Sequence, residues 1–239
     1  LDCEYILEHQ GLCVFSRPLF SDTLQQAKPF SFAIEGFYEV ASVYPHLWSF
    51  WLEWYQGFLD GKPLDWELQR RVALIDDAIW EAGPEAVAEE IERIRAAYEV
   101  ERRATELEAS AQAALRTTRG IGDNNPPPPI EEALATSDGL TIIWAAAQEL
   151  KEEAQSEVPD KTRVEKAIGA IVGVLKACGL WAAKKVDKGL DAAMVAAGTA
   201  AGKWSVRAAA GYGAIWVAQN TESIMDLVKA AEAWLPFLP

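Results

Sequence analysis

At 239 residues, half of them hydrophobic and ten of them Trp, the chain holds ample material for one large or two small cores. Its formal net charge of −14 is concentrated in the first half, where residues 1–118 carry 10 basic against 21 acidic groups. That balance excludes a nucleic-acid backbone as partner, because phosphate neutralisation needs clustered Lys and Arg.

Cys3, Cys13 and Cys178 are too few and too scattered for a disulfide framework, and they read as small buried hydrophobes in a reducing compartment. The N-terminus lacks the basic region and apolar core of a secretory signal, so a cytoplasmic location is expected. The chain begins at Leu1 rather than Met, with the look of a domain interior. That fits a piece of a longer protein, and leaves an enzyme with its active site upstream of residue 1 as a third-ranked reading.

In chain order, Cys3–Leu12 forms a short helix ended by Gly11, and Ser21–Gln26 a capped turn broken at Lys28-Pro29. Phe30, Ala33, Ile34, Phe37, Tyr38 and Ala41 make a helical stripe that Pro45 stops. His46–Asp60 is the strongest core signal. Trp51, Trp54, Tyr55, Phe58 and Leu59 fall on one helical face, with Trp48 and Leu52 beside it, and Gly61 is its C-terminal stop. A helix this apolar is expected to be buried, and a ligand-stacking platform is the alternative.

Asp65 reads as an N-cap for a helix with Leu68, Val72 and Ile75 inward, and Asp76–Trp80 as a short helix ending at Gly83. Pro84 then opens a helix free of Gly and Pro to about Thr117. Val87, Ile91, Ile94 and Tyr98 give it a coiled-coil-like seam, which fades at Glu101 and Thr105 and resumes weakly at Leu107, Ala111 and Leu115. Its first half is expected to pack on the Trp-rich helix and its second half to project or pair with another chain. Val87, Ile91, Ile94, Tyr98, Leu107 and Leu115 are therefore the candidate partner-binding residues. The interleaved Glu and Arg groups read as a solvated surface.

Gly120–Pro129 carries turn formers and four consecutive prolines, which no helix or central strand can run through, so 119–137 is a semi-rigid linker. Beyond it, Ile142, Ile143, Ala146, Ala147, Leu150 and Ala154 are in helical register, and Asp160 or Thr162 starts a helix with Val164, Ile168, Ile171, Val172, Leu175 and Cys178 inward. Thr221 is read as the cap of a last helix through Ile224, Leu227, Val228, Ala231 and Trp234. No hairpin signal occurs, so the expected fold is all-α. Its parts are an acidic Trp-rich domain (1–118), the linker (119–137) and an Ala/Gly-rich bundle (138–239).

Lys166–Arg207 holds seven basic against two acidic groups among Ala, Gly, Val and Trp. A basic apolar segment of this kind can lie on a membrane, which makes Lys176, Trp181, Lys184, Lys185, Lys188, Lys203, Trp204 and Arg207 candidate lipid-binding residues. The longest charge-free run, Ala208–Thr221, has 14 residues and is too short to span a bilayer.

No catalytic, metal or cofactor site is expected. Cys3, His9 and Cys13 lack a fourth ligand at zinc spacing, and adjacent carboxylates such as Asp76-Asp77 do not face each other on a helix. Gly120-Ile-Gly122 lacks the third glycine of a dinucleotide loop.

Trp51-Leu-Glu-Trp54-Tyr55, Gly61-Lys-Pro63 and Ile79-Trp80-Glu-Ala-Gly83-Pro84 resemble a module of uncharacterised alphaproteobacterial proteins. Their R-G-I-G-H-N-N-P-P-E linker is similar to Arg119–Pro128, with Asp123 and Pro128 here in place of His and Glu. The resemblance covers about residues 45–130 and implies a bacterial origin and no assigned activity. The leading expectation is a non-enzymatic helical protein acting through a protein partner or homo-oligomer. The alternative is a membrane-acting effector working through residues 138–239, associated with the inner membrane.

Overall fold

The computed structural model describes residues 28–119, 129–130, 138–180 and 212–239, and the fold is all-α. The described residues form nine α-helices, a closing 3₁₀ turn and no strand. The expected Cys3–Leu12 and Ser21–Gln26 segments, the Cys3/His9/Cys13 set and most of the linker lie outside the described residues. Two compact units divide the chain, Leu1–Arg95 and Ala96–Pro239.

In the first unit, α1 (Lys28–Val43) starts at the expected break, with Pro29 in its first turn, where a missing N–H leaves no bond unmade. Pro45 likewise opens α2 (Pro45–Leu59). Phe37 of α1 meets Trp48 and Tyr55 of α2 edge-on, each at 5.7 Å between centroids. The Tyr38 hydroxyl donates to Gln56 Oε1.

At the C-terminus of α2, Lys62 N–H bonds to Gly57 O (2.7 Å) and Gly61 N–H to Phe58 O (3.3 Å), with Gly61 at φ +68°. These two bonds are the Schellman closure, which requires a left-handed residue at the glycine. Gly57 is required for a different reason, because a Cβ there would lie 2.7 Å from the Lys62 carbonyl oxygen.

Two carboxylates start the next helices as expected. Asp65 accepts from Glu67 N–H to cap α3 (Trp66–Ala73), and Asp76 accepts from Ala78 N–H to cap α4 (Asp77–Ala82). Helix α5 (Pro84–Arg119) begins in this unit, tied to α2 by Arg95–Glu53 (2.6 Å) and Ser49–Glu92 (3.4 Å).

The division between units falls inside α5, upstream of the linker. From Ala97 onward, α5 buries Ala97, Val100, Ala104, Leu107, Ala111 and Ala114 in one core with residues of the C-terminal half. Its expected projecting half is thus an interior element. The seam continues past Glu101 and Thr105 on their neighbours Val100 and Ala104.

Helix α6 (Gly139–Gln155) is the centre of the second unit. Asp138 caps it by accepting from Thr141 N–H (3.0 Å), and every residue from Gly139 to Ala147 is buried. A helix apolar on all sides is stable only when neighbours cover all of them. Helices α7 (Lys161–Ala177) and α8 (Tyr212–Gln219) pack directly on it. The polar end of α6 reaches α5 through Lys151–Glu108 (2.9 Å) and Gln155–Glu101 (2.6 Å).

The expected inward stripes of α7 and of α9 (Thr221–Trp234) are buried, apart from the partly buried Cys178 at the end of α7. Burial pushes the Cys178 thiol up. The Thr221 cap is corrected: Thr221 is the first helical residue, and its hydroxyl donates to the Val217 and Ala218 carbonyls. The N-cap is Asn220, whose amide donates to Trp216 O.

One buried carboxylate fixes the α6–α7 turn. Glu153 is 3 % exposed, accepts from Asp160 N–H (2.7 Å) and pairs with Arg163, which also reaches Glu149 (2.5 Å). Replacing Arg163 leaves this carboxylate with one donor, so Arg163→Met is expected to cost about 1–3 kcal/mol, reduced from the fully buried case because the guanidinium is half exposed. Urea unfolding would read this, and Arg163→Met in a Glu153→Gln background should cost clearly less.

Candidate functional site

The candidate partner residues are largely interior. Val87, Ile91, Ile94 and Leu107 are buried, Tyr98 is half-buried, and the Leu115 side chain lies outside what is described. The seam is closed because this chain's own side chains cover it. Among the candidate lipid-binding residues, Lys176 is exposed in the last turn of α7, and Trp181, Lys184, Lys185, Lys188, Lys203, Trp204 and Arg207 lie outside the described residues. No helix among the described residues is long and apolar enough to cross a membrane. None of their His, Cys, Asp and Glu groups gather into a set of three that could hold a metal.

What the structure brings together instead is a row of aromatic rings in the first unit. Positions 51, 54 and 58 step along one face of α2. Trp51 and Trp54 stand 6.4 Å apart and Trp54 and Phe58 5.1 Å. The row is extended at one end by Trp66 of α3, 6.0 Å from Phe58, and at the other by Trp80 of α4, 6.3 Å from Trp51. These tilted and edge-on contacts suit the quadrupoles of the rings.

The expected buried aromatic core is therefore only half realised. On α2 only Phe50 and Leu59 are buried, while Trp51, Trp54 and Phe58 are half-buried. Trp66 is 49 % exposed and Trp80 42 %, and Leu74 between their helices 66 %. The physical reason is that α3 and α4 are short and set one ring each beside the row without lidding it.

Several hydrogen bonds hold the rings in place. Trp54 Nε1–H donates to Gln69 Oε1 (2.8 Å), whose amide donates to Leu64 O (2.6 Å). Trp80 Nε1–H donates to Ile75 O (3.2 Å), which fixes its indole against its own loop.

No family model, curated protein or solved structure matches the chain.

Its margin is acidic. From Asp60 to Glu85 seven carboxylates outnumber three basic groups. Two of those basic groups are engaged locally, since Glu67 binds Arg70 through paired bonds of 2.8 Å and Arg71 at 3.0 Å. Asp77 and Glu81 stay exposed beside Trp80, three residues before it and one after. Exposed aromatic faces inside a negative field attract cations.

Hydrogen bonds from Arg70 and then Arg71 hold the Glu67 carboxyl at about 2, below its ordinary 4.5. Because the folded value is the lower one, the stabilisation from Glu67 is present above pH 4.5 and fades as pH falls from there towards 2. Thermal melts of Glu67→Gln should accordingly lie below those of the parent at pH 6, with the gap closing steadily towards pH 3. A gap that stays constant with pH would show that the carboxylate charge is not involved.

Proposed function

We propose that this is a non-enzymatic helical protein that acts by binding a protein partner through the aromatic row of its first unit. The observation that carries this reading is the row of five described rings, Trp66, Phe58, Trp54, Trp51 and Trp80, beside the exposed Leu74 and Trp80. Indole rings dominate contact energy where proteins meet, because they bring large area at low entropic cost. The second unit supports the reading by contrast. Among its described residues, the large apolar side chains are mostly taken up by the core around α6, and those that stand exposed are the isolated Val158 and Ile215.

Site-specific photo-crosslinking in cells producing the full chain tests this. A benzophenone side chain at Leu74, beside the row, should give a discrete covalent adduct, whereas the same group at Val158 in the second unit should give none. Equal adducts at the two positions, or none at Leu74, would overturn the assignment.

A further inference from the structure

We infer that the second unit holds an internal water site, in which one water molecule bridges Trp144 Nε1 and Gln148 Oε1. The inference is independent of the partner role proposed above. Positions 144, 148, 151 and 155 step by four, three and four, which puts them on one face of α6. The two nearer its C-terminus are answered by α5, Lys151 by Glu108 and Gln155 by Glu101. The other two are not. Trp144 Nε1 and Gln148 Oε1 are both closed off from solvent, and among the described residues neither has a hydrogen-bond partner. Trp144 as a whole is buried. Other indoles of the chain are supplied with an acceptor, Trp54 by Gln69, Trp80 by Ile75 O and Trp216 by Ser110 Oγ.

The two atoms define what joins them. The indole N–H needs an acceptor and the amide oxygen needs a donor, so the occupant must be both. A metal cation accepts nothing from the indole, and a fully ionised anion donates nothing to the amide. Gln148 keeps its oxygen turned this way because its Nε2 donates to Glu152 Oε1 (3.4 Å) on the exposed side. Every residue of α6 from Gly139 to Ala147 is buried, and packing of that density favours the smallest molecule with both functions, which is water. Leaving a donor and an acceptor bare in the interior forfeits two desolvated hydrogen bonds, whereas holding one water costs less.

Water–protein NOE spectroscopy of the full, uniformly labelled chain tests this without any variant having to fold. The assigned Trp144 indole N–H should give a cross-peak to water with the sign of a long-lived contact. The Trp54 indole N–H, bonded directly to Gln69, should give none of that sign. Urea unfolding supplies the second measurement. Gln148→Met should lower the midpoint by roughly 0.5 M in the parent chain, and by clearly less in a Trp144→Phe background, where the bridge has already lost its other end. Absence of the long-lived water contact at Trp144 would overturn the inference. So would a Gln148→Met midpoint that is unchanged or raised, the result for an acceptor that is simply bare. Equal shifts in the two backgrounds would overturn it as well, by showing that the two atoms share no water.

Discussion

The nine-residue stretch Gly139–Ala147 has no polar face, and the second unit is arranged around that fact. A helix exposes its whole circumference unless other elements surround it, so α6 cannot be a surface helix in the ordinary amphipathic sense. It is packed by α7 and α8, and the core it belongs to also takes in the second half of α5. Among the described residues, the side-chain contacts from α6 to other elements lie towards its C-terminal end. Lys151, Glu153 and Gln155 all bond to other elements near its C-terminus, which sets where the helix stops and how the chain turns into α7.

The first unit meets a different constraint. Its helices are short, apart from α1, α2 and the start of α5, and its apolar material is largely aromatic. Large flat rings cannot be enclosed by an eight-residue and a six-residue helix, so they lean on one another in a row. Among the described residues, the rings around α2 stay half-buried while the core around α6, its three Trp residues included, is buried, and that contrast motivates the proposed binding role.

Much of this was legible in the residues. The stripes of α7 and α9 follow a clean helical period, and Asp65, Asp160 and Pro84 mark helix starts by side-chain chemistry that acts within three residues. The all-round burial of α6 was not legible, because Ala145, Ala146 and Ala147 fit a surface as well as a centre, and only tertiary neighbours decide between the two. The continuation of the α5 seam was obscured by residue size. Tyr98 drew the pattern one position past the true stripe, which runs through Ala97, Val100 and Ala104 before reaching Leu107. Small residues that pack closely carry little periodic signal. The aromatic row was half legible. Trp51, Trp54 and Phe58 share a helix and could be aligned by spacing, but Trp66 and Trp80 join them only through the turns that bring α3 and α4 back onto α2.

The closure at the end of α2 bears on how this sequence can drift. Gly57 meets the Lys62 carbonyl so closely that the space for even a methyl group is taken by backbone, which has no alternative rotamer to adopt. Every missense change to a glycine codon adds at least that one carbon. The codon for residue 57 is thus confined to synonymous exchange for as long as the Gly57–Lys62 bond is kept, whereas Lys62, whose backbone makes the contact, is free to change its side chain. Inheritance along this loop is governed by a main-chain distance, and the more conspicuous of the two residues is the more replaceable.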